Sequence, residues 1–247
     1  SNSGALIYSG TSAQALSGVI SGTGNLTQNA SSTLTLAGSN TYNGTTTLNA
    51  GQLNINNATA IGSGTLTING GTIDNTSAGS ITLSNNNAQN WNGNFSFAGT
   101  KDLNLGNGTV AMNASRTVTV SNGNLTVGGA ISGSTFGLTK NGSGTLILGG
   151  VNTYNGTTTI NAGTLSVTGN SSASTHTVSS GAFLGGTGVV GATTVNGTLQ
   201  GTLTTGALTV NSGGIISPNA TGSVGTLNAS TITINGGSGY NFTIANV

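Results

Sequence analysis

The chain has 247 residues, with 44 Gly, one Pro, no Cys, three Lys or Arg and two Asp or Glu. Charged residues make up 2% of it, against roughly 25% in an ordinary soluble domain, and a net charge of +1 offers no basic field for phosphates, which argues against nucleic-acid binding. The lack of Cys removes disulfides, thiolate metal sites and Cys nucleophiles together. Hydrophobic residues still reach 34% and recur at short regular intervals, which argues against disorder. No stretch approaches the roughly 20 apolar residues of a membrane helix, so no membrane insertion of this segment is expected. The chain opens on Ser1 and reads as a processed or excerpted piece.

The predicted elements are short strands, taken here from the N-terminus. Leu6, Ile7 and Tyr8 form a strand-like aliphatic start. Thr33–Leu36 and Thr65–Ile68 alternate Thr with Leu or Ile, which places the aliphatics on one face and Thr on the other. Ser84–Phe97 breaks this rhythm and gathers Trp91, Phe95 and Phe97; it reads as a local plug of the core, with a sugar-stacking or self-association patch on a lateral excursion as the alternative. Thr117–Val120 resumes the alternation, and Thr231–Ile234 repeats it near the C-terminus. Tyr240, Phe242 and Ile244 close the chain with further strand-like residues. Between strands sit Asn-Gly pairs such as Asn43-Gly44, Asn122-Gly123 and Asn155-Gly156, residue types that accept φ > 0 and so mark turns. No window shows helical spacing, and the chain reads as all-β.

Turns of this kind serve an antiparallel hairpin or a coil, and an internal repeat decides between them. Thr23–Ile55 and Thr135–Val167 are identical at about 21 of 33 positions, 112 residues apart. Fixed-register repetition marks a solenoid in which each unit buries its face on its neighbours. With three short strands and about 20–24 residues per coil, 112 residues is close to five coils. The expectation is a single elongated β-solenoid over 1–247, a right-handed parallel β-helix with repeat copies at 23–55 and 135–167. Leu34, Leu36, Leu48, Leu53, Leu66 and Ile68 are assigned to the core. Tyr42 and Tyr154 are expected at equivalent corners five coils apart, hydroxyls outward. Asn40 and Asn152, at matching corners, are expected either to form amide ladders or to cap turns exposed to water.

The segment Leu138–Val167, "LTKNGSGTLILGGVNTYNGTTTINAGTLSV", resembles the autotransporter-associated β-strand repeat. Leu138, Lys140, Gly142, Gly144, Leu146, Leu148, Asn152, Tyr154, Gly156, Thr158, Ala162, Gly163 and Leu165 follow its pattern in order. The first copy departs from it at Gln28, Ala30 and Ser32. Ile216–Asn219, Gly225–Leu227 and Tyr240–Phe242 are similar to the segment that often follows such repeats, with Asn219 in place of Gly. The resemblance implies export, a bacterial cell-surface or extracellular location and a passenger-like stalk. It names no activity.

The chemistry-bearing residues are few. Asp74 and Asp102 are the only carboxylates, too few and too poorly supported for glycan hydrolysis; His176 is the only histidine, expected in a turn or facing solvent. No metal cluster, cofactor site or phosphate loop is read, and no enzyme is expected. The expected role is structural and adhesive: a surface fibre or stalk that self-associates as a homopolymer or homo-oligomer, through Leu6, Ile7, Tyr8, Tyr240, Phe242 and Ile244 at two ends that carry no charged side chain. A host or glycan surface is the other partner considered. Two alternatives stand beside it. One is a section of a larger autotransporter adhesin. The other is an ice- or surface-binding solenoid built on Thr45–Thr47 and Thr157–Thr159, although outward Thr keeps no strict period in the sequence.

Overall fold

The structure is a computed structural model that describes residues 1–218 and 226–240, with Tyr240 described in its backbone only. The described chain winds as a β-solenoid of about 11 turns, without a helix. Its strands stack in parallel in three sheets of seven, 14 and nine strands, called here faces I, II and III. Face II runs without a break from Gln14–Leu16 to Asn228–Ile234. Around Asn43-Gly44 and Asn155-Gly156 the neighbouring strands pair in parallel with strands one coil away, so these turns are corners and not hairpins.

The alternation seen in the sequence builds the core. Strands such as Thr33–Leu36 and Thr145–Leu148 bury every second residue, and Leu34, Leu36, Leu48, Leu53, Leu66 and Ile68 are all at most 1% exposed. Each buried Leu or Ile contributes about 1.5–3 kcal/mol relative to exposure. The coil varies in girth. The wide coil that carries Ile73 returns to it in register only at Phe97, whereas the narrow coil that carries Val195 returns already at Val210. The wide coil after Ile73 is filled by the aromatics: Trp91 and Phe97 are fully buried, and Trp91 meets Phe95 edge to face with ring centroids 5.1 Å apart.

Coils carry the expected three strands from Ile81 to Asn141 and again from Thr158 onward, where Asn170–Ser171 and Val189–Val190 supply the third, but fewer elsewhere. Before Ile81 each coil has strands on faces I and II only, and its third side is irregular. Face III begins at Ile81–Thr82, and face I ends at Ile131–Ser132. The two repeat copies straddle this exchange. Copy one lays Asn25–Gln28 and Thr46–Leu48 on face I, and Thr33–Leu36 and Gln52–Ile55 on face II. Copy two lays Leu138–Asn141 and Thr158–Ile160 on face II, and Thr145–Leu148 and Thr164–Val167 on face III. The offset between the copies is therefore five coils plus one face.

This corrects the expectation of equivalent corners. Tyr42 lies on the side later taken by face III, and Tyr154 on the side that face I has just vacated, where Thr153 N donates to Ile131 O. The repeat fits either pair of faces because its contacts are made to the coils above and below, not to a particular side. Gly51 and Gly163 show this in the backbone. Both sit in the left-handed region, at φ 65° and 62°, and a Cβ there would come within 2.2 Å of Ala30 O and 2.4 Å of Gly142 O. Only Gly allows the next coil to settle this closely.

Candidate functional site

The repeat corners are buried and hydrogen-bonded inward. Tyr42 Oη pairs with Thr46 Oγ1 at 2.5 Å, and Thr46 Oγ1 donates to Ile61 O at 3.0 Å. Tyr154 Oη pairs with Thr158 Oγ1 at 2.8 Å and Ser171 Oγ at 3.4 Å. The expectation of outward hydroxyls is thus wrong. The inward Thr four residues on supplies the partner that a buried phenol needs. Burial pushes the Tyr42 phenol up to about 12, with the Thr46 hydrogen bond partly offsetting it, and raises Tyr154 against its own Ser171, Thr158 and Ser174 partners.

Asn40 and Asn152 stitch backbone rather than forming ladders. Asn40 Oδ1 accepts from Ile20 N at 2.8 Å while its Nδ2 donates to Ala60 O at 2.6 Å, so one side chain spans three coils. Asn152 Oδ1 accepts from Ile131 N at 2.9 Å, and its Nδ2 donates to Gly150 O at 3.3 Å. Both are at most 4% exposed. The amide ladder lies elsewhere. Asn49, Asn69, Asn92 and Asn113 each donate from Nδ2 to the Oδ1 of the Asn one coil earlier, beginning at Asn29, at 2.7–3.1 Å. The free acceptor end is closed by the Arg116 guanidinium, which donates to Asn113 Oδ1. After the change of face the ladder restarts as Asn161 to Asn141, the positions equivalent to Asn49 and Asn29.

Three further polar side chains sit inside the coil. Lys140, fully buried, donates from Nζ to the carbonyls of Asn141, Gly142 and Ala162 at 2.8–3.1 Å. It thus ties its own turn to the next coil. Burial lowers its ammonium to about 8. Gln28, its counterpart in the first copy, does the same with Nε2 to Ser32 O and Gln52 O. His176 departs from expectation. It lies on the strand His176–Val178 of face II, 1% exposed, between Thr158 and Thr193. Neither ring nitrogen has a hydrogen-bond partner, and burial lowers its pKa to about 4.

The carboxylates act on turns. Asp74 accepts from the Asn75 and Thr100 amides and from Thr100 Oγ1. Asp102 accepts from Asn124 N and Nδ2, both at 2.9 Å. Among the described residues no group of three or more His, Cys, Asp or Glu gathers to hold a metal, and no helix is long and apolar enough to cross a membrane.

Among the described residues the strand Ala5–Tyr8 pairs with Asn25–Gln28. Leu6 is 38% and Ile7 58% exposed, and a cavity of about 310 Å³ opens there among Leu6, Ile7, Tyr8, Leu16, Leu26 and Leu34. Tyr8 Oη donates to Ser12 O and accepts from Ser32 Oγ. At the opposite edge Gly239–Tyr240 pairs with Ile215–Ser217. Phe242 and Ile244 lie outside the described residues, as do Asn219 and Gly225.

These features make the chain a parallel β-solenoid held by a continuous aliphatic core, with polar side chains that tie coil to coil. Residues 26–55 and 138–167 match the passenger-associated-transport-repeat family. The chain thus carries two such repeats on a β-solenoid, as is consistent with an autotransporter passenger repeat protein. No curated protein and no solved structure matches it.

Proposed function

We propose that the chain is a stalk section of a bacterial surface passenger and that it works mechanically. The carrying observation is the uninterrupted face II, whose backbone hydrogen bonds run along the axis from coil to coil. Asp74 and Asp102 are engaged in turns, and this supports a structural role over glycan chemistry. Surface exposure is what the passenger repeats imply. The test is protease accessibility on intact cells that produce the parent protein. Shaving should release fragments containing this segment, and their retention inside unlysed cells would refute the reading.

A specific observation favours self-association as a second reading. Leu6 and Ile7 on the strand Ala5–Tyr8, and Ile232 and Ile234 on the strand Asn228–Ile234, are exposed apolar side chains. All strands run in one direction, so a second copy stacked end to end would continue the same ladders and propagate as an open filament. Ile7→Lys would bury an unpaired charge at that joint. Sedimentation should show concentration-dependent growth that this variant abolishes; growth unchanged by it would rule the joint out.

A further inference from the structure

The outward surface of face II carries an array hidden in the sequence. Thr139 pairs with Thr159, Thr159 with Thr177, Thr177 with Thr194, Thr194 with Thr209 and Thr209 with Thr233. The length of chain between partners differs at every step. No fixed period exists in the chain, yet the sheet places all six side chains in one file. Each of them is the first residue of a Thr-x-Asn triplet, except that Thr177 is followed by Ser179. The middle residue points to the core side of the sheet, and the third forms a parallel row. That row is held by its own hydrogen bonds: Asn161 to Asn141 at 3.0 Å, Ser179 to Asn161 at 3.3 Å, Asn211 to Asn196 at 2.8 Å and Asn235 to Asn211 at 2.9 Å. On the other flank Thr157 and Thr175 join hydroxyls at 3.1 Å.

From this geometry we infer that face II between Thr139 and Asn235 binds an ordered water lattice, the surface of ice. Thr hydroxyls and methyls repeat about every 4.8 Å along the axis, and the Asn row sets amide groups about 7 Å to one side of them, close to the intervals at which ice presents its oxygens. The Asn row is hydrogen-bonded in two runs and the β-branched Thr side chains are stiff at χ1, so binding freezes few loose side chains. No exposed charge interrupts the face: Lys140, its only charged residue, is turned inward onto carbonyls. An uncharged lattice is the matching partner. A neutral polysaccharide fits less well, because no aromatic lies on the face to stack against a sugar. A second copy fits less well too, because the patch is on the order of 350 Å² by the sheet spacings, under half of the roughly 800 Å² per partner of a stable pair.

The test is partition of the purified chain into a slowly grown ice phase, together with thermal hysteresis, for wild type, Thr177→Lys/Thr194→Lys and Thr126→Lys. Thr126 points outward on face III and is the control. Circular dichroism checks that all three fold alike. Wild type and the control should enter the ice and hold the freezing point below the melting point, and the double variant should lose both effects. Exclusion of the wild type from ice, or equal uptake of the double variant, overturns the inference. So does binding to crystalline cellulose or a concentration-dependent dimer that the double variant loses, in the absence of ice uptake.

Discussion

Replacing Lys140 isolates what a buried cation contributes to a chain with almost none. Its ammonium satisfies three carbonyls, two in its own turn and one in the next coil. Lys140→Met would leave all three without that donor, at roughly 1–3 kcal/mol for each group that water cannot reach, so a loss of about 3 kcal/mol is expected. Lys140→Gln should cost about 1 kcal/mol, because Gln28 already bridges turn and next coil in the first copy with two hydrogen bonds. The pH dependence separates the two further. The folded ammonium titrates at about 8, below its ordinary 10.5. Between those values the unfolded chain binds more protons, so stability rises with pH across that window. The three carbonyl partners favour the charged form and temper the gain to on the order of 1–2 kcal/mol. Urea melts followed by circular dichroism at pH 7, 8.5 and 10 read all of this. Lys140→Met as stable as wild type at pH 7, or a wild-type rise above pH 8 that Lys140→Gln retains, would refute the reasoning.

His176 works in the opposite region. Folded, it stays neutral down to about 4, so its contribution is full above 6.5 and falls as pH drops from 6.5 to 4; His176→Thr, matching Thr158 and Thr193 in the same file, should flatten the melting temperature over that range. The buried phenols give the alkaline limit: Tyr42 is raised to about 12 and Tyr154 is raised, so their stabilisation holds below pH 10 and is lost as pH rises through those values, and ultraviolet titration should show both ionising only with unfolding. Asn69→Asp replaces the Nδ2 donor to Asn49 with a second acceptor and should cost about 1 kcal/mol, whereas Asn57→Asp, outside the ladder, should cost less in the same urea melt.

The sequence and the fold agree where the signal is local or repeated. Thr-Leu alternation marks the strands, the long internal match marks the solenoid, and Asn-Gly pairs such as Asn43-Gly44 mark its corners. What escaped depends on which side of the coil a residue meets. Nothing in the repeat tells face I from face II, so the one-face displacement of Tyr154 from Tyr42 is invisible until coil girths are known. His176 sits among Ser and Thr, a setting shared by turns and strands, and only its pairing with Thr158 and Thr193 buries it. The Thr array escaped for a related reason: coils of unequal length erase its period in the chain while the sheet keeps its register.

Register is the central claim, and paired spin labels measure it directly. The chain has no Cys, so two introduced Cys give clean labelling sites. Thr117 with Thr139 and Thr177 with Thr194 enclose unequal lengths of chain, yet each pair is in register on face II. Both pairs should show the strong dipolar broadening of labels on strands about 4.8 Å apart. Thr47 with Thr159, equivalent in the repeat but on faces I and II, should show none. Broadening of the last pair, or its absence from either of the first two, would contradict the account.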